Sequence, residues 1–361
     1  MICAHRETTA ETLEAHLDVA LKTIASERDA AIISRIWGLD GNGGASLQAI
    51  AVGLGLTRER IRQVGERAFQ KLKLDRTLTA MIANVMQFTT EHMPATVAEI
   101  EAKLRQLKMI SGRLGLTSVM IAAEAFKIDV PFAATPVGTD SIVHDARIPS
   151  LRPLKSAARV LTARHGAMQV REVMRRAAIA DRRLGRLDLA GVVLPCCEGF
   201  RWLDESSGWF FLLSTSGNHI LQQIRKVLSV VDEIAVADLK DAVRRDHKTF
   251  RLELPDTVFY ELCRQTPWLS VEGQMIRSRI AIPSNHALSK TERGLSSMLR
   301  DAGTALSPSY IVSRCAAYKI NPGTVLQDLL FSSIIRKYGH ARYGLVGLPQ
   351  ERIISKERWQ G

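Results

Sequence analysis

Leu47 to Lys73 reads LQAIAVGLGLTRERIRQVGERAFQKLK, and the spacing of its apolar residues predicts two short helices joined by a tight turn. In the second helix Ile61, Val64, Ala68 and Leu72 recur at helical intervals and form one apolar stripe. Arg58, Glu59, Arg62, Gln63, Glu66 and Arg67 lie off that stripe and face solvent or a partner. Thr57 stands where an N-cap belongs, since its hydroxyl can accept from a first-turn N–H, and Glu59 suits the positive end of the helix dipole. Upstream, Leu47, Ile50, Ala51 and Leu54 make the buried face of a shorter helix. Gly55 sits where that helix must stop and the chain reverse, a position that commonly takes positive φ. The pattern is a helix-turn-helix with Arg58–Lys73 offered to a DNA major groove.

The chemistry of the outward residues fits that use. Arg pairs bidentately with guanine, Gln with adenine, and Glu accepts from cytosine. Arg60, Lys71 and Lys73 are placed for phosphates, which fix register without reading sequence.

The segment also resembles region 4 of the sigma-70 family of bacterial transcription initiation factors. RDAAIISRIWGLDGNGGASLQAI (28–50) is similar to the family's first half, with an arginine-led helix, a Gly-Leu-Asp-Gly loop and a Leu-x-x-Ile helix. LTRERIRQV (56–64) resembles its recognition helix almost letter for letter. The resemblance spans about residues 27–73 and implies recognition of a promoter's upstream element in double-stranded DNA, and contact with the flap of RNA polymerase. Carried over position by position, it implies that Arg58, Glu59 and Gln63 face the bases and that Arg62 and Arg67 lie at the groove and its phosphates, Arg62 being counted with the base-facing set. The phosphate-facing set is then Thr57, Arg60, Arg67, Lys71 and Lys73. Two positions depart from the family: Gly65 replaces a usual Glu, and Glu66 a small residue. A mid-helix Gly costs about 1 kcal/mol against Ala, so a weaker or bent helix is expected there.

Too few residues precede the match for the DNA-melting segment of a full initiation factor. Residues 1–26 read instead as one polar helix with Leu13, Leu17, Ala20, Leu21 and Ile24 on a face. The expectation is a recognition module joined to something other than a complete factor.

The chain has 361 residues, 46% of them hydrophobic, a composition for further globular domains rather than a disordered tail. No apolar run is long enough for a membrane span, and the N-terminus lacks the layout of a signal peptide. Five cysteines without paired spacing predict a reduced, cytoplasmic, nucleoid-associated protein. The net charge of +12 suits a polyanionic partner. The surplus is uneven: residues 151–216 hold eleven Lys and Arg against six Asp and Glu, and residues 287–361 eleven against five.

After the helix-turn-helix (27–76) the chain reads as a degenerate repeat. Each unit runs helix, short β-branched or apolar step, helix, helix, then an aromatic-rich hairpin. The third is plainest: a helix over 220–231, a strand at 234–236, helices over 237–246 and 255–265, then the hairpin WLSVEGQMIRSRIAI (268–282) about a Glu-Gly-Gln turn. The second ends in FRWLDESSGWFFL (200–212) and the fourth in IIRKYGHARYGLV (334–346). The first carries TTEHMPATVAEIEAKLRQLKM (89–109) and a weaker strand near 131–143. This order is the winged-helix layout. The predicted fold is mainly α with small β-hairpins, the helix-turn-helix being followed by about four tandem winged-helix-like domains. Their bounds are 77–150, 151–216, 217–286 and 287–350, with a tail over 351–361. Trp202 with Phe211, and Ile335 with Tyr343, are expected to pack hairpins onto helices. Arg201, Arg277, Arg279, Arg336, Lys337 and Arg342 are expected to project outward, the last five as candidate wing contacts to DNA.

Catalytic chemistry is not legible. The chain lacks HExxH, a CxxC pair, GxxxxGK[ST], GxSxG and a GxGxxG after a strand. Nine scattered histidines form no ligand cluster, and Cys196–Cys197 read as small core residues. The expectation is a sequence-specific DNA-binding transcription regulator without catalytic residue, metal or cofactor. The alternative is an interaction protein that grips RNA polymerase or another complex through its winged helices.

Overall fold

The structure, a computed structural model, describes residues 12–38, 44–213, 217–246, 254–339 and 341–347. Residues 39–43 of the GLDGNGG loop (38–44), the tail from 348 and the first eleven residues lie outside them. The chain divides into two compact units. One comprises Met1–Pro153 and Ala178–Cys197, the other Leu154–Ala177 and Glu198–Gly361.

The first unit opens with four helices: α1 (Leu13–Ile24), α2 (Glu27–Trp37), α3 (Leu47–Leu54) and α4 (Arg58–Leu72). Each starts on a side-chain cap, with Thr12, Ser26, Ser46 and Thr57 accepting from the N–H three residues on. Such caps satisfy an orphan donor and contribute about 1 kcal/mol each. Gly38 and Gly55 close α2 and α3 at φ 69° and 64°, where a Cβ would be strained. The turn expected at Gly55 is therefore present, and α4 begins three residues later.

The apolar stripe of α4 serves two cores. Ile61 and Val64 pack with Ile32, Ile50 and Ala51 in a small three-helix core. Ala68 and Leu72 join a larger one with Leu13, Leu17 and Leu21 of α1 and with the elements that follow. Those are α5 (Arg76–His92), β1 (Ala95–Thr96), α6 (Val97–Gln106), α7 (Leu116–Ala125), β2 (Phe132–Val137) and β3 (Asp140–Asp145). Trp37, Phe69 and Phe126 meet edge to face, with centroids 5.3–6.3 Å apart. Glu14, only 3% exposed, accepts from the backbone N–H of Ser111, Gly112 and Leu114 at 2.6, 3.0 and 3.2 Å. The first helix is thus an anchor rather than a polar leader, and its one buried charge gathers a loop around it. At Gly65 α4 runs on as one helix. A Cβ there would come 3.1 Å from Ile36 Cδ1, so close packing of α2 accounts for the glycine.

The expected order of helix, short strand, helix, helix and hairpin occurs three times in full and a fourth time without the strand. The first instance is α5 to β3, with sheet order β1-β3-β2, all antiparallel. The second is α8 (Arg152–His165), β4 (Met168–Gln169), α9 (Val170–Ala178), a short 3-10 turn at Arg182–Gly185, α10 (Leu187–Val193), β5 (Phe200–Asp204) and β6 (Trp209–Leu212). The third is α11 (His219–Leu228), β7 (Glu233–Ala235), α12 (Val236–Arg244), α13 (Asp256–Gln265), β8 (Leu269–Glu272) and β9 (Met275–Ser278). After α14 (Ser284–Ala287) comes the fourth: α15 (Lys290–Ala302), α16 (Pro308–Arg314), α17 (Pro322–Phe331), β10 (Ile335–Tyr338) and β11 (Arg342–Leu345). In this last repeat the short strand is reduced to a single bridge, Leu306 to Tyr343.

One packing expectation is corrected. Trp202 pairs across the hairpin with Phe210, not Phe211, and it shares a face with Phe200 and Phe210 in an aromatic cluster. Phe211 faces the other way into the core of the third repeat. A two-residue period puts neighbours on opposite faces, so the one-residue difference decides. Ile335 and Tyr343 do pack into the fourth core.

Candidate nucleic-acid interface

The exposed side of α4 carries Arg58, Glu59, Arg60, Arg62, Gln63, Glu66 and Arg67, with Lys71 and Lys73 at its far end. Arg58 and Arg60 project from the first turn, and their side chains make no hydrogen bond or ion pair among the described residues. Thr57 Oγ is taken up as the cap acceptor of the Arg60 N–H at 3.2 Å. Its hydroxyl proton remains available to an acceptor.

Arg62 is held differently. Its guanidinium donates to both Glu59 oxygens at 2.6 and 2.8 Å and, with its other arm, to Glu66. The hydrogen bonds from Arg62 hold the Glu59 carboxyl down to about 2, and the same bonds push the Arg62 guanidinium above its ordinary range. Gln63 Nε2 also donates to Glu59 at 3.2 Å, and Arg67 Nε leans back onto the Gln63 carbonyl at 3.3 Å. The base-facing set named from sequence is therefore one connected cluster, with Arg58 the member left open. Glu66, a departure from the family pattern, is what completes the clasp on Arg62. Lys71 turns away from this face, for its Nζ donates to the Ile24 carbonyl at the end of α1, 3.0 Å away. It lies about 20 Å along the helix from Arg58 at 1.5 Å per residue.

Arg35 of α2 was not singled out by the sequence. Its guanidinium lies over α3, with Nη1 4.0 Å from where a Cβ on Gly53 would stand. Only tertiary folding brings it there, and no spacing in the chain announces it.

The third helices of the four repeats, which would correspond to recognition helices, offer no comparable cationic edge. In the first repeat α7 is covered. Leu116, Ser118, Val119, Ala122 and Ala123 are buried, and Ile121 packs beside Gly44 and Ile36. In the second, α10 shows Leu187 and Asp188, and Asp188 is paired with Arg186. In the third, α13 ends with Gln265 bound to the Trp202 carbonyl at 2.7 Å. Its Asp256, Thr257, Tyr260 and Glu261 line a groove of 820 Å³ together with Asp204, Lys240, Asp241 and Arg244, in which Asp256 is paired with Lys240 and Glu261 with Arg264. Four carboxylates against two cations leave the lining net negative, which disfavours phosphate. In the fourth, α17 carries no Lys or Arg.

The wing cations divide. Arg277 is paired with Glu272 across its hairpin, and Arg336 with Asp238 at 2.9 Å. Arg279 and Lys337 are exposed, and Arg342 is half-buried and engaged within the protein. Arg201 is exposed, as expected. Among the described residues no cluster of His, Cys, Asp and Glu could hold a metal ion, and no helix is long and apolar enough to cross a membrane.

No curated protein and no solved structure matches the chain. Residues 26–74, however, match the family model for Sigma-70, region 4. In sequence this segment is similar to that DNA-binding domain, and its helices α3 and α4 form a helix-turn-helix.

Proposed function

We propose that the protein is a sequence-specific DNA-binding transcription regulator that reads a promoter or operator element with the N-terminal half of α4. The observation that carries this is the exposed Arg58-to-Arg67 edge on a helix whose opposite stripe is locked into two cores. Arg58 and Gln63 supply base recognition, and Arg60 and Arg67 supply phosphate contact. The role is that of a binding protein without catalytic machinery, sitting at the nucleoid. The test is selection from a randomised duplex pool with the full chain. Enrichment of one short motif supports the reading, and recovery of unenriched pools at every salt concentration refutes it.

A second reading is favoured by the repeats. Their third helices are covered, acidic or apolar, which suits protein contact better than DNA. In that reading the region 4-like module engages RNA polymerase while the repeats bind other protein. Polymerase retained on the purified chain after nuclease treatment supports it, and loss of polymerase with the DNA refutes it.

A further inference from the structure

The fourth repeat exposes an apolar face where a DNA-reading helix would carry cations. Leu326 and Leu330 stand one turn apart on α17, 53% and 55% exposed, with Phe331 at 41% beside them. On α16, which packs against α17, Tyr310 and Val312 are 50% and 36% exposed. Large apolar side chains gathered on a soluble surface mark an interaction site. We propose that this face is a dimer contact, covered by the same α16–α17 face of a second copy of the chain about a two-fold axis.

Charge selects that occupant. The chain carries +12, so two copies repel over most of their surfaces. A two-fold contact sets each residue near its own copy, and a charged face would therefore set like against like. The two helices together hold one cation, Arg314, and one half-buried acid, Asp328. Their other outward polar residues are uncharged: Ser309, Ser313, Thr324 and Gln327. An acidic protein or an anionic membrane would be drawn to the cationic faces elsewhere, and has nothing to grip here.

Area is adequate. The five exposed apolar side chains present roughly 400 Å² per copy. That is about half of what each partner contributes to a stable interface, and it forms the apolar centre that such interfaces have. Pairing through the fourth repeat would give each assembly two helix-turn-helix modules, the arrangement with which such modules read paired half-sites.

The experiment is sedimentation velocity of the full chain across the micromolar range, at low and high salt. The expected result is a species of twice the 40.0 kDa chain mass that persists at high salt. Leu326→Glu with Leu330→Glu should convert it to monomer with unchanged circular dichroism. Tyr310→Lys, a single change on the neighbouring helix, should weaken the dimer at least tenfold and decides the matter if the double variant does not fold. A wild-type chain that stays monomeric throughout, or a dimer that survives Tyr310→Lys and the folded double variant, overturns the proposal. Binding to a single half-site depends on α4 alone and is unaffected by these variants, so failure here is separable from failure of DNA recognition.

Discussion

Arg62 and Glu59 lie locked together on the exposed face of α4, Nη2 to Oε1 at 2.6 Å and Nε to Oε2 at 2.8 Å, while the free arm of the same guanidinium grips Glu66. The pairs are solvent-exposed, so they are readily exchanged for another anion. A guanine edge or a phosphate must compete with two carboxylates for Arg62, whereas Arg58 has no such competitor.

Removing the outer carboxylate should tilt that competition. Glu66→Gln is expected to tighten binding to every duplex by on the order of threefold, through one fewer negative charge near phosphate and a freer Arg62. Fluorescence anisotropy with specific and scrambled duplexes measures it. A gain confined to one sequence would contradict the reading.

The depressed Glu59 carboxyl sets a pH dependence. A carboxyl held down to about 2 contributes its ion pair at all higher pH and loses it only as pH falls through that value. The affinity difference between wild type and Glu59→Gln should therefore be constant from pH 8 to pH 4. A difference that halves near pH 4.5 would show an ordinary, unpaired glutamate.

Lys71 and Arg60 are separable by salt dependence. Arg60→Ala should lower the slope of log affinity against log salt by about one. Lys71→Ala should leave it unchanged, because the Lys71 ammonium caps the end of α1 through the Ile24 carbonyl. Equal losses in the two variants would place Lys71 on the DNA after all.

Glu14 tests the anchor. Glu14→Ala strips the acceptor from three backbone N–H groups, and unsatisfied buried donors cost about 1–3 kcal/mol in all. Urea unfolding followed by Trp37 fluorescence should show an earlier transition. An unchanged midpoint would mean that the 111–114 loop finds other partners.

The cysteines give a chemical check on packing. Burial pushes the Cys263 thiol up to about 12, and Cys315 is also buried. Neither should react with maleimide until the protein unfolds. Cys196 and Cys197 are partly exposed and should label in the native state, Cys196 the more slowly because burial raises its thiol. Rapid native labelling of Cys263 would contradict the third repeat's core.

Much of this was legible in the chain because local signals agreed with the final packing. Thr57, Gly55 and the Ile61-Val64-Ala68-Leu72 stripe place α4 to within one residue, the helix ending at Leu72 rather than Lys73. Hairpins with clear alternation, such as Leu269–Ser278, were equally readable. What escaped was tertiary. Nothing in the periodicity of α7 shows that α2 covers it, nor that the Trp202 carbonyl meets Gln265. Glu14 and Arg35 look like ordinary charges on amphipathic helices, and only the fold shows one buried and the other laid over α3. Ion pairing was half-hidden: Arg62 with Glu66 follows from spacing of four, but Arg336 with Asp238 joins residues 98 apart.

The central claim is that the opening turns of α4 read DNA. The most direct measurement is an equilibrium titration of wild type and Arg58→Ala against the selected duplex and a scrambled one, at fixed salt. The account predicts that Arg58→Ala loses roughly 1–3 kcal/mol on the selected duplex and little on the scrambled one, so that preference collapses. Identical affinity and identical preference in the two proteins would contradict it.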